Sequence, residues 1–429
     1  MAQVPRALQD LERLVAIPSV SSLPEHADDV RRSAEAVRDL YRAEGVDARV
    51  VTTGGARPAV LGHRAGPAGA PTVLLYAHHD VQPTGDLSAW ATDPFTPTRR
   101  DGRLLGRGTS DDKGAVALHL ALLRAFGAEL PVSLVVLVEG EEEIGSPGFA
   151  ALLAGHRDEL RCDVVVVPDA VNPDRLTPSA TTGLRGNADL VVELATLSRP
   201  VHSGLYGGVL PCALTSLVQL IGTLWDEDGV LAVDGLGGLA DPPEALVDLD
   251  GLLLAGVGEV GSGSYGARLV GEPSVTVLAL DAVPVAEASN VLHPRARAKL
   301  GLRVPPGEDA GAALTALEAH LLARVPHGAQ VDIERGRDGS GFLSPSVPDV
   351  WRAAAEEAYG RPPVAIGVGG SIPFVTALAE AFPSAEVVIT ALQDPASNAH
   401  SFDESLDLEG FGKACVAHAL LLQGIAARR

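Results

Sequence analysis

The sequence predicts an α/β protein, a mixed, mainly parallel sheet with helices on both faces, carrying a smaller inserted α+β domain. Three observations carry this. Up to about residue 170, short apolar runs alternate with segments of helical periodicity; from Gly183 alternating strands and two helices take over; from Gly339 the first rhythm resumes. The larger domain is therefore read as 1–183 and 339–429, and the insertion as 184–338.

Helix-spaced apolar positions run over 3–16 and 27–45, separated by the turn-rich Ile17-Pro18-Ser19-Val20-Ser21-Ser22. Val46–Val51 and Ala59–Gly62 read as strands, and a Gly/Pro/Ala tract at Arg64–Pro71 leads to a strand at Thr72–Ala77. After a loop over Gln82–Arg100 come a helix at 114–126, a strand at Val132–Val138, a helix at 146–160 and a strand at Asp163–Val167. In the insertion, Asp189–Ala195, Val275–Leu280, Ala296–Val304 and Gln330–Glu334 read as strands, with helices at Pro211–Trp225 and 309–324. Residues 226–273 are rich in Gly, Asp and Leu with weak periodicity and read as a long excursion. The last stretch holds helices at 348–359, 371–381 and 408–427 and a strand at Glu386–Thr390.

Composition narrows the function. A chain of 429 residues with a formal net charge of −22 lacks the basic balance that nucleic-acid binding needs. Its three cysteines, Cys162, Cys212 and Cys415, form no Cys-x-x-Cys pair, which excludes a thiolate-rich zinc site and fits a reducing compartment. The N-terminus shows no signal-peptide pattern and no apolar run of spanning length is read, so the expectation is a cytoplasmic protein without a membrane partner.

Chemistry gathers at strand ends. Leu74-Leu75-Tyr76-Ala77 runs into His78-His79-Asp80, and strand alternation puts His78 and Asp80 on one face and His79 on the other. Gly106-Arg107-Gly108-Thr109-Ser110-Asp111-Asp112-Lys113-Gly114 offers two carboxylates just before a helix. Glu139-Gly140-Glu141-Glu142-Glu143 ends one apolar strand, Asp169 follows another, and His400 lies in a loop after a third. Singly each has a bland explanation, as a cap or a solvated face. Converging at the carboxyl edge of one sheet, they would repel one another without cations. Imidazole and carboxylate donors without thiolate suit Zn2+, Mn2+ or Co2+.

These motifs resemble the M20 metallopeptidase family, and most closely its carnosinase-like dipeptidase branch. The resemblance rests on His78-x-Asp80-Val81-Gln82-Pro83, Trp90 with Asp93-Pro94-Phe95, the Gly-Arg-Gly-x-x-Asp-Asp-Lys-Gly loop, Glu139-Gly-x-Glu-Glu-x-Gly-Ser146, Thr182-Gly183-Leu184-Arg185-Gly186, His202-Ser203-Gly204 and the late His400. It implies a zinc-peptidase-like catalytic domain with an inserted lid and dimerisation domain. It also implies two divalent metal ions per subunit, Zn2+ first with Mn2+ or Co2+ as alternatives. His78, Asp111 and Asp169 would hold one ion, Asp111, Glu143 and His400 the other. Asp80 would orient His78, and Glu142 would act as general base in the hydrolysis of dipeptides or similar short amides. His202 would reach the active site of a partner subunit in a homodimer. Arg303, Asn290, Gly370 and Ser371 match substrate-binding positions, and the Asp111–Asp112 peptide bond is expected to be cis. The alternative activity is N-acyl-amino-acid deacylation on the same metal centre.

Overall fold

The computed structural model describes residues 2–428 apart from 55, 248, 250 and 251. Its principal strands are β1 (Asp47–Val51), β2 (Ala59–Arg64), β3 (Thr72–His78), β4 (Ser133–Glu139), β5 (Val164–Val167), β6 (Gly186–Ala195), β7 (Ser274–Leu280), β8 (Arg295–Val304), β9 (Gln330–Gly339) and β10 (Glu386–Ile389). The main helices are α1 (Val4–Val15), α2 (Ala27–Ala43), α3 (Lys113–Phe126), α4 (Phe149–His156), α5 (Ala213–Gly222), α6 (Ala310–Ala323), α7 (Asp349–Tyr359), α8 (Pro373–Ala381) and α9 (Leu408–Ala427). The chain divides into two compact units, Met1–Thr182 with Ser344–Ala365 and Pro373–Arg429, and Gly183–Leu343 with Ile366–Ile372.

The first unit is built on a six-stranded sheet in the order β1-β2-β4-β3-β5-β10. The pairs from β4 to β10 are parallel, and β1-β2 and β2-β4 are antiparallel. Parallel strands bury both faces, which explains why β3, β4 and β5 are unbroken apolar runs. On one face Val73, Leu75 and Ala77 join a core with residues of α1, α3, α7 and α9. On the other, Tyr76 stacks on Phe374 of α8 with ring centroids 3.7 Å apart. His78 ends β3 in the same alternation as Tyr76.

The second unit is an antiparallel sheet in the order β7-β8-β6-β9. Alternate residues Ala188, Leu190, Val192 and Leu194 of β6 and Ala296, Ala298, Leu300 and Leu302 of β8 pack with apolar residues of α5 and α6. Ile366–Ile372, placed by the sequence reading with the larger domain, clusters here because Ile366 and Gly367 pair in parallel with Glu244 and Ala245.

Two further expectations change. The helix read over 146–160 is only Phe149–His156, because Ser146 takes a positive φ of 53° and keeps the first turn from forming there. The reading that no apolar run reaches spanning length also needs correction, since an 18-residue stretch of the 20-residue α9 has a mean hydropathy of 1.3. Half of that stretch is buried inside the first unit, where Phe411, Ala414, Leu421 and Ile425 belong to the core.

Two core histidines make stability depend on pH. His119 Nδ1 lies 2.8 Å from the Tyr41 hydroxyl, and His418 Nδ1 lies 2.8 Å from the Ala414 carbonyl. Burial pulls their pKa values down, to about 3 for His119 and about 4 for His418. Above pH ~6.5 both are neutral in either state and add no pH dependence. As pH falls below that, the unfolded chain takes up protons that the folded one refuses until its own pKa is reached, so stability falls. Each histidine contributes a slope of about 1.4 kcal/mol per pH unit. Urea unfolding between pH 5.5 and 4.5 should show His119→Gln flatter than wild type by that one-proton slope; parallel curves would refute it.

Candidate metal centre

The four parallel strands β4, β3, β5 and β10 end on one side of their sheet, and His78, Glu142, Glu143, Asp169 and His400 leave from those ends, while Asp111 comes from the loop just before α3. His78 closes β3, paired in register with Glu139 at the end of β4. Glu142 and Glu143 open a single helical turn three residues on. Asp169 lies two residues beyond β5, and His400 lies in the loop after β10. Ligands gather at such edges because the strand-to-helix loops all open there.

His78, Asp111 and Asp169 bring one potential donor atom each within 4.8 Å of one another, and so do Asp111, Glu143 and His400. Asp111 belongs to both groups. Its Oδ1 is 3.0 Å from His78 Nε2 and its Oδ2 is 2.9 Å from His400 Nε2, while Glu143 Oε2 is 3.2 Å from His400 Nε2. Asp169 Oδ2 is 3.7 Å from His78 Nε2. The Asp111–Asp112 peptide bond is cis.

The neighbours of this group favour cation binding. His78 Nδ1 lies 3.1 Å from the main-chain oxygen of Asp80, which can only accept, so in the neutral ring Nδ1 carries the hydrogen and Nε2 keeps its lone pair. The Asp80 carboxylate, to which the sequence reading gave the orienting contact, also lies within reach of Nδ1, at 3.5 Å. The same carboxylate accepts from the amides of Glu142 (3.2 Å) and Glu143 (3.1 Å) and so holds the turn that presents both. Nε2 of neutral His78 therefore faces carboxylate oxygens, acceptor to acceptor, and only a proton or a metal ion between them resolves that. Among the described residues no lysine or arginine pairs with Asp111, Asp169 or Glu143. The donor set fits divalent cations.

Charge crowding shows in the ionisation of these groups. Burial, reinforced by Asp169, Glu143 and Asp111 against the pull of His78, pushes Glu142 up to about 9. Burial and Asp111 raise Asp169 to about 7. Hydrogen bonds to Asp111 and Glu143 raise His400 to about 10. Glu142 belongs to neither donor group.

His79 and Glu141 stay out of the cluster. His79 Nε2 bonds the Pro58 carbonyl at 2.8 Å, and the Glu141 carboxylate accepts from the amides of Arg57 and Gly148. Two residues without an assigned role prove to position the donors. Gln82 Nε2 donates to Glu143 Oε2 at 2.9 Å. Glu404, fully buried, accepts at Oε1 from the amides of Ser110 (3.0 Å) and Asp111 (3.1 Å), and at Oε2 from the Gly108 amide and Arg107 Nη1, both 2.8 Å. Gly108, at φ 86°, is needed here because a Cβ would lie 2.6 Å from Val81. The signal in the sequence was Arg107: an arginine between two glycines at a buried loop needs a carboxylate.

The remaining candidates lie in the second unit and form two groups. His202 pairs with Val291, and the Ser203 amide donates to the Asn290 carbonyl at 2.9 Å, which sets His202 and Asn290 side by side. Arg303 Nη1 reaches Ser371 Oγ at 3.4 Å, with Gly370 next to it in the chain.

The profile of Peptidase family M20/M25/M40 matches residues 74–424. Cysteinylglycine-S-conjugate dipeptidase of Corynebacterium striatum is 34% identical, over 97% of this chain and 95% of its own length. Cys-Gly metallodipeptidase dug1 of Schizosaccharomyces pombe is 28% identical, over 94% and 92%. The M20 family metallo-carboxypeptidase Sso-CP2 of Sulfolobus solfataricus superposes with a TM-score of 0.80 over 98% of this chain and 99% of that one; at 24% identity this likeness speaks for the fold alone. Profile, full-length relatives and fold agree, and the chain belongs to peptidase family M20/M25/M40.

Proposed function

We propose that this chain is a dipeptidase that holds two divalent metal ions per subunit, Zn2+ first with Mn2+ or Co2+ as alternatives, and cleaves short peptide amides. The observation that carries the reading is the pair of donor groups sharing Asp111, with Glu142 beside them but in neither. Dipeptidase names among the full-length relatives support the substrate class. Bound divalent cations would supply Lewis acidity and a water acidic enough to react near neutral pH. His78, Asp111, Asp169, Glu143 and His400 would hold them. Glu142 takes the proton from the attacking water at its carboxylate and returns it to the leaving amine nitrogen.

The insertion 184–338 serves in this reading as lid and dimerisation domain. Edge strand β7 supports a homodimer, because Val277, Leu278 and Leu280 are exposed along it. His202 is assigned to the carbonyl oxygen in the partner subunit's site. Its tautomer supports the role: the Gly204 amide donates to Nδ1 at 3.0 Å, so Nε2 carries the hydrogen and can donate to a developing oxyanion. Arg303, with Ser371 and Gly370, is assigned to the terminal carboxylate of the peptide, which suits a guanidinium fork, and Asn290, beside His202, to another substrate contact. Three free cysteines support a cytoplasmic location.

The test is a substrate panel of Cys-Gly, an S-benzyl Cys-Gly, β-Ala-His and N-acetyl amino acids, run before and after chelation. Turnover of dipeptides, abolished by EDTA and restored by Zn2+, Mn2+ or Co2+, is the expected result. Turnover of the acylated amino acids alone would overturn the dipeptidase assignment.

A further inference from the structure

The second unit contains a cavity of about 670 Å3, within the range of roughly 300–1,000 Å3 common for small-molecule sites. Much of it is enclosed by the excursion over 226–273. Trp225, Leu231, Val233, Leu253 and Val275 give it apolar walls, and Arg185 also lines it. None of Asn290, Arg303, Gly370 and Ser371 does.

Arg185 is the unusual feature. Its residue is only 7% exposed. Nε donates to the Gly369 carbonyl at 3.0 Å and Nη1 to Ser274 Oγ at 3.1 Å. Both acceptors are neutral. Among the described residues no carboxylate pairs with this guanidinium, and Nη2 has no hydrogen-bond acceptor. Burial, then repulsion from Arg303, lowers its pKa to about 10, which leaves it charged at neutral pH. A buried, unpaired cation is unfavourable unless an anion joins it.

The other charged groups at the cavity do not supply that anion. Glu259 is already paired with Arg268 at 2.6 Å and accepts from the Tyr265 hydroxyl at 3.1 Å. Glu272 is exposed, where water screens it. The remaining demand is a single negative charge against a planar fork, with apolar surface around it. A carboxylate matches the fork in charge and shape.

We infer that this cavity binds an organic monocarboxylate with an apolar body, its carboxylate paired with Arg185 and its chain against Trp225, Leu231, Val233 and Val275. The cavity's lining shares no residue with the metal cluster, and the inference does not depend on the hydrolase reading. Calorimetric titration of the full-length protein with decanoate, and with decanol as the uncharged match, tests it. Decanoate should bind saturably at one per chain and at least tenfold tighter than decanol. Arg185→Gln should weaken decanoate at least tenfold and leave decanol unchanged. Leu253→Trp, at a wall position that is 45% exposed and so tolerant of change, should fill the cavity and weaken both ligands at least tenfold. No saturable decanoate binding, equal binding of decanoate and decanol, or wild-type binding by Leu253→Trp would each overturn the inference. The Leu253 variant and the decanol comparison decide the matter even where Arg185→Gln fails to fold.

Discussion

Glu142→Gln is expected to lower kcat on a dipeptide by about 10²–10⁴-fold, the usual contribution of a positioned general base, while bound metal stays at the wild-type level. The two halves of that result come from different contacts. Every donor atom of the two candidate metal groups belongs to His78, Asp111, Asp169, Glu143 or His400, so replacing Glu142 removes none of them. Its amide is held by Asp80, and glutamine keeps that contact, because it is made by the main chain. What disappears is the carboxylate that, in the proposed mechanism, accepts the water proton and hands it to the leaving nitrogen. Steady-state kinetics beside elemental analysis separate the two effects: full activity would remove Glu142 as the base, and lost metal would make it a ligand.

Glu404→Gln is expected to cost about 3–5 kcal/mol of stability, the penalty for breaking a buried ion pair by removing one partner, and to reduce both metal equivalents together. The single carboxylate accepts from Arg107, Gly108, Ser110 and Asp111. A glutamine would turn one of those acceptors into a donor facing donors and leave Arg107 charged and unpaired. Asp111 sits in the loop so held and serves both donor groups, so loosening it weakens both ions and not one. Urea unfolding with metal analysis checks this. A variant that unfolds at the wild-type midpoint and keeps both equivalents would show that the clamp is dispensable.

Much of this architecture could be read from residue order because its strands follow simple rules. Thr72–His78 and Ser133–Glu139 are uninterrupted apolar runs, as a sheet covered on both faces requires, and each delivers its acid or histidine at the strand end. Ser179–Leu184 is as deeply buried but escaped notice, because Ser-Ala-Thr-Thr-Gly-Leu carries little apolar signal. Ser179 is tolerated inside because its amide and hydroxyl both bond Asn172 Oδ1. Val364–Val368 escaped for another reason: prolines before it and glycines after it look like a loop. Within the site, ligand types and order were legible, whereas Glu404 was not. An acid four residues after a histidine says nothing by itself, and its partners lie almost three hundred residues earlier.

That separation has a consequence for how the protein comes into being. A ribosome delivers His78, Asp111, Glu143 and Asp169 long before His400 and Glu404, which lie within the last thirty residues. Until β10 adds to the edge of its sheet and the following loop folds back, the second donor group lacks its histidine and the Asp111 loop lacks its clamp. Such distant closures come late in folding, after the local elements have formed. A chain that stops short of His400 therefore holds an incomplete centre, and hydrolytic competence waits for the segment that carries His400 and Glu404.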